Sequence, residues 1–104
     1  MQKILENKIN DLKRICFALD VKRLYAFGSV VSNEFREDSD IDFLISFAEN
    51  LSIEQYTDNY FTLQYKLRDL FEREIDIVTE RTLSNPYFIE SIDETKKLIY
   101  ETWN

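Results

Sequence analysis

Apolar residues recur along this chain with two different periods, and the switches between them mark out its elements. Leu5, Ile9, Leu12, Cys16 and Leu19 stand four or three positions apart, with Lys3, Glu6, Lys8, Asp11 and Lys13 mostly around the other side. That spacing predicts an amphipathic helix, in which Cys16 reads as a small buried apolar residue. From Lys22 to Phe27 the chain is short, aromatic and apolar, bounded by Asp20 and Gly28, which predicts a first strand. Ser29 is placed to cap a short helix from Val30 to about Glu34, and Phe35 to Ser39 reads as a charged loop. A second strand is predicted from about Asp40 to Phe47.

Ser52 and Gln55 have the spacing of a capping box. They open the longest predicted helix, whose stripe of Ile53, Tyr56, Tyr60, Leu63, Leu67 and Leu70 is expected to pack inward, with nucleotide stacking or partner contact the alternative for its tyrosines. Arg73 to Thr79 predicts a third strand in which Ile75 and Ile77 alternate with Asp76. Asn85-Pro86 opens a last helix, since proline suits a first helical position, and Ile89, Ile92, Lys96, Ile99 and Trp103 are spaced along it. The apolar ending Leu98, Ile99, Tyr100 and Trp103 either closes the core or offers a partner surface. The order helix, strand, short helix, strand, helix, strand, helix predicts an α/β fold, one domain over residues 1–104 with a small mixed sheet packed with about four helices.

Two features of this pattern carry chemistry. In a strand alternate side chains share a face, so Asp40 and Asp42 point the same way, roughly 7 Å apart, while Ile41 and Phe43 take the other side. Turn chemistry accounts for Asp38 and Ser39, but an aspartate inside the run Ile41, Phe43, Leu44, Ile45 has poor β propensity and meets a half-buried surface. Two such carboxylates repel unless a cation lies between them. Gly28-Ser29 ends the preceding strand; it reads either as an ordinary turn or as a cradle whose backbone N–H groups suit a phosphate. Gly28-Ser29 closes one strand and Asp40 begins the next, so the two meet only if those strands run antiparallel. Asp76 alone would be the polar face of an edge strand; beside the other two carboxylates it becomes a candidate functional residue.

Composition narrows the chemistry. Thirteen basic residues against twenty acidic ones give a net charge of -7, which opposes rather than assists contact with a nucleic-acid backbone. No histidine is present, which removes Ser-His-Asp and Cys-His sites and His-ligated zinc, and leaves carboxylates as proton acceptors. A metal held by aspartates alone is a hard cation, Mg²⁺ or Mn²⁺. One cysteine forms no internal disulfide, the start MQKILENKINDLKR carries charges where a signal peptide needs an apolar run, and no segment has transmembrane length. A cytoplasmic protein without membrane contact is the expectation.

Gly28-Ser29 followed at a fixed gap by Ser39-Asp40-Ile41-Asp42, with Asp76 on a later strand, resembles the motif of the DNA polymerase β-type nucleotidyltransferases. The brevity of the chain points within that superfamily to its minimal nucleotidyltransferases, the MNT antitoxins paired with HEPN-domain RNase toxins. The resemblance implies transfer of AMP from ATP to a hydroxyl, expected to be a tyrosine of the partner HEPN toxin. Asp40, Asp42 and Asp76 would be catalytic and would hold two Mg²⁺ ions, with Mn²⁺ the alternative, while Gly28, Ser29 and Ser39 would hold the nucleotide. A partner supplying part of the site, and no direct nucleic-acid binding, complete that expectation. Where the family often has Arg and then Gly after the Gly-Ser pair, this chain has Ser32 and Asn33; Asn tolerates a left-handed backbone, but an arginine contact is lost. An inert antitoxin that only covers its toxin, and a small-molecule nucleotidyltransferase, are the rival readings.

Overall fold

The computed structural model describes residues 2–102. Its sheet has four strands in the order β3-β2-β1-β4, where β1 is Val21–Phe27, β2 Ile41–Phe47, β3 Ile75–Thr79 and β4 Lys97–Glu101. β1 lies antiparallel to both β2 and β4, whereas β2 and β3 are parallel, so the sheet is mixed as expected. Four α-helices accompany it: α1 (Lys3–Asn7), α2 (Ile9–Ala18), α3 (Ile53–Phe71) and α4 (Pro86–Thr95).

Alternation along β2 divides the sheet into two faces. Ile41, Phe43, Ile45 and Phe47 join Leu5, Leu12, Cys16, Leu63 and Leu67 in the main core beneath α1, α2 and α3. Leu44 points the other way, into a smaller cluster with Phe27 and Ile92 of α4. Each fully buried side chain of this size contributes roughly 1.5–3 kcal/mol, so the sheet is anchored chiefly by its helical face. Cys16 belongs wholly to that core, and burial pushes its thiol up to about 12, which agrees with a packing role.

The helix ends follow their sequence cues. Ser52 accepts from the Gln55 N–H while the Gln55 side chain accepts from the Ser52 N–H, completing the capping box of α3. Asn85 accepts from the N–H groups of Tyr87 and Phe88, with Pro86 in the first turn of α4.

Several expectations are corrected. The last helix ends at Thr95, and Lys97–Glu101 forms β4 along the free edge of β1 rather than more helix. Leu98, Ile99 and Tyr100 form a short apolar run that fits either period, and β-branched Ile99 and aromatic Tyr100 suit the open edge. Ile99 does reach the core, Leu98 is exposed, and Trp103 lies outside the described residues. The first helix is two, separated at Lys8, whose φ of -112° and ψ of 11° leave the helical region. Its stripe survives the break because Leu5, Leu12 and Cys16 remain buried on one side. Ile53 is 85% exposed, since in the first turn of α3 it is Tyr56 that packs against Phe47, and further along Leu63, Leu67 and Phe71 enter the core. The short helix after β1 is only a 3-10 turn, Gly28–Val31, with Phe27 rather than Ser29 at its cap position.

Candidate active site

The parallel register of β2 and β3 sets Asp42 directly beside Asp76. Both alternate with residues of the helix-covered face, so they share the opposite face with Leu44 and Val78. Asp40 stands one residue before β2 begins. From the other side, the antiparallel register pairs Asp42 with Phe27, the residue preceding Gly28. Two independent strand registers therefore bring the Gly28-Ser29 turn and the three aspartates to one corner of the sheet.

Electrostatics confirm the closeness. The Asp42 carboxyl is pushed up from 3.8 to about 6, first by burial, then by the charge of Asp76 and then by that of Asp40. Among the described residues, no three His, Cys, Asp or Glu side chains are already gathered tightly enough to enclose a metal ion. Asp42 thus feels the charges of its two neighbours, although the three carboxylates do not converge on one point. The donor set itself fits a hard divalent cation: carboxylate oxygens, no sulfur and no imidazole, in a place where added positive charge relieves repulsion.

Gly28 has φ of +75°, and a Cβ built there would stand 2.5 Å from Asp42 Oδ2. Glycine is needed twice over, for the left-handed backbone and for the space that the Asp42 carboxylate occupies. Gly28→Val is therefore expected to displace Asp42 as well as obstruct a phosphate. Isothermal titration with ATP and Mg²⁺ should show at least about tenfold weaker binding, in line with a strained backbone costing 1–3 kcal/mol. Unchanged affinity in a folded variant would contradict this account of the turn.

The remaining sequence candidates take more local roles. Ser29 is half-buried, and its carbonyl accepts from both the N–H and the hydroxyl of Ser32. Ser32 also accepts from the Glu34 N–H and so organises the turn, with no guanidinium of the kind the family often has there. Asn33 does not adopt a left-handed backbone; among the described non-glycine residues only Asp20 and Glu72 have positive φ. Ser39 Oγ accepts from the Arg36 N–H at 2.9 Å, which leaves its own proton to donate.

Sequence reasoning passed over Arg73. Its Nη1 donates to the carbonyls of Arg36 and Ser39, across from the start of β3 to the loop before Asp40. Two tyrosines of α3 line a different feature: Tyr56 and Tyr60, with Phe61, Ile77 and Thr79, border a groove of about 440 Å³ that includes none of the three aspartates.

Comparison with known proteins gives the family of the chain. Residues 7–103 match the family described as "Polymerase beta, Nucleotidyltransferase", and the chain belongs to that family of nucleotidyltransferases. Among its relatives, "Putative protein adenylyltransferase MJ0126" of Methanocaldococcus jannaschii is 40% identical over 80 residues, which span 77% of this chain and 76% of the relative. A structure described as "putative minimal nucleotidyltransferase" superposes with a TM-score of 0.72 at 29% identity, covering 91% of this chain and 92% of the other. The antitoxin-type architecture is also met in a tri-AMPylated Shewanella oneidensis HEPN toxin in complex with an MNT antitoxin, at TM-score 0.62 and 25% identity over 98% of this chain and 74% of that one. Within its family, then, the chain resembles the MNT antitoxins of HEPN–MNT pairs. No helix among the described residues is long and apolar enough to cross a membrane.

Proposed function

We propose that the chain acts as one minimal nucleotidyltransferase domain, an antitoxin that moves AMP from ATP onto a tyrosine hydroxyl of a HEPN-type RNase and thereby neutralises it. The observation that carries this reading is the Asp42–Asp76 register, with Asp40 at the strand start and Gly28 against Asp42. The names of its relatives, protein adenylyltransferases and MNT antitoxins, support it.

In the reaction, a bond forms between the acceptor oxygen and the α-phosphorus, the bond to the β-phosphate oxygen breaks, and pyrophosphate leaves. Two divalent cations, Mg²⁺ or Mn²⁺, would supply charge stabilisation to the attacking and leaving oxygens. Asp40 and Asp42 would hold them, and the position of Asp76 on the adjoining strand suits it to complete the acceptor side and take the hydroxyl proton. The Gly28-Ser29 turn, with Ser39 at the edge of the loop, would hold the β- and γ-phosphates. A net charge of -7 leaves few cations for following an RNA strand, which favours a protein acceptor. An adenylate on a toxin's active-site tyrosine would set a bulky anion where substrate RNA must bind.

A thermal shift separates this from an inert antitoxin. ATP with Mg²⁺ should raise the melting temperature, because a ligand bound only by the folded state stabilises it. No shift at millimolar ATP and Mg²⁺ would favour the inert reading.

A further inference from the structure

Asp40 precedes the first residue of β2, so the regular β2–β3 ladder does not hold it. The ladder's outermost backbone bond at this end runs from the Ile41 N–H to the Glu74 carbonyl at 3.1 Å. Beyond it one side chain continues the connection. Arg73 Nη1 donates to the Ser39 carbonyl at 2.9 Å and to the Arg36 carbonyl at 3.2 Å, and its guanidinium lies over the Phe35 ring, 4.6 Å from the centroid. Those two carbonyls belong to a turn closed on itself by Ser39 N–H to the Arg36 carbonyl and by Arg36 N–H to Ser39 Oγ. Arg73 therefore grips the peptide joining Ser39 to Asp40 from a position three residues before Asp76.

We infer that Arg73 is a positioning residue that fixes Asp40 relative to Asp76 by clamping the Arg36–Ser39 turn to the start of β3. The inference rests on the proposed reading of the three aspartates as metal ligands. The turn itself is polar and largely exposed, so no apolar packing of its own residues ties it to the sheet. Neutral turn bonds alone set the turn's internal shape but not its place relative to β3. A guanidinium is suited to the task because its planar fork can meet carbonyl oxygens while its face stacks on an aromatic ring. Arg73 Nε is buried without a hydrogen-bond partner in the structure, so the side chain is held there by Nη1 and by Phe35. Groups that orient metal ligands typically change metal affinity or activity by roughly 10–100-fold when removed.

The test compares wild type, Arg73→Ala and Arg73→Lys at a temperature well below the melting point of each. Free-Mn²⁺ electron paramagnetic resonance with a non-hydrolysable ATP analogue measures metal affinity, amide exchange at Ser39 measures the turn, and AMP transfer gives kcat and KM for ATP. Arg73→Ala should weaken Mn²⁺ binding about tenfold and lower kcat about a hundredfold, leave KM for ATP within about threefold, and accelerate Ser39 exchange. Arg73→Lys, which keeps a cation able to reach one carbonyl, should recover part of each and guards against misfolding of the alanine variant. A residue that served stability alone would lower the melting temperature while leaving Mn²⁺ affinity, kcat and Ser39 exchange at wild-type values, and that result would overturn the inference. If wild-type protein binds Mn²⁺ but transfers no AMP, the proposed reaction fails, while Mn²⁺ affinity and Ser39 exchange still decide the role of Arg73. If wild-type protein binds no Mn²⁺, both fail.

Discussion

Asp42→Asn is expected to lower AMP transfer by at least about a thousandfold while making the metal-free protein more stable. Loss of a charged ligand forfeits several kcal/mol of transition-state stabilisation, and each 1.36 kcal/mol is about tenfold in rate. The opposite sign for stability follows from the raised carboxyl of Asp42, which goes from 3.8 to about 6 through burial and the charges of Asp76 and Asp40. A folded carboxyl that holds its proton more tightly than the unfolded one destabilises the fold above pH 6, and the penalty fades as pH falls from about 6 toward 3.8. Solvent still reaches Asp42, so we expect about 1 kcal/mol rather than the full shift. Urea denaturation with EDTA should show the Asn variant ahead by that amount at pH 7, with the gap closing near pH 4. A variant equal to wild type at both pH values would mean that the aspartates do not strain the fold.

Asp76→Asn should separate binding from chemistry. The registers leave Asp42 on β2 beside the Gly28 turn, with Asp40 just before that strand, whereas Asp76 reaches the site from β3. Transfer should therefore fall about a hundredfold or more, the range for a lost acid–base or metal-orienting group, while ATP affinity with Mg²⁺ stays within about threefold. Collapse of ATP affinity together with transfer would show that all three carboxylates serve the triphosphate, and the division of roles would be wrong.

The arrangement of the candidate site was legible in the sequence because its constraints are local or nearly so. Asp42 violates the apolar run around it, Gly28 is the chain's one glycine, and the need for the two to meet already demanded antiparallel β1 and β2. Asp76 repeats the same alternation on β3, and the register delivers it beside Asp42. What stayed hidden depends on distant partners. Leu98 to Tyr100 became a strand because β1 had an open edge, which no local period reveals. Ile53 has the spacing of a core residue, yet it is exposed while Tyr56 of the same turn makes the contact with Phe47. Arg73 looks like any charged residue at a strand start, since its partners are carbonyls 34 and 37 positions earlier and carbonyls leave no trace in side-chain sequence.

The most direct test of transfer to a protein hydroxyl is mass spectrometry of a HEPN-type partner after incubation with this protein, ATP and Mg²⁺, alongside a control containing the Asp42→Asn variant. The account predicts adenylate on a partner tyrosine with wild-type protein and none with the variant. An unmodified partner in both samples, with label instead on RNA or nowhere, would contradict it.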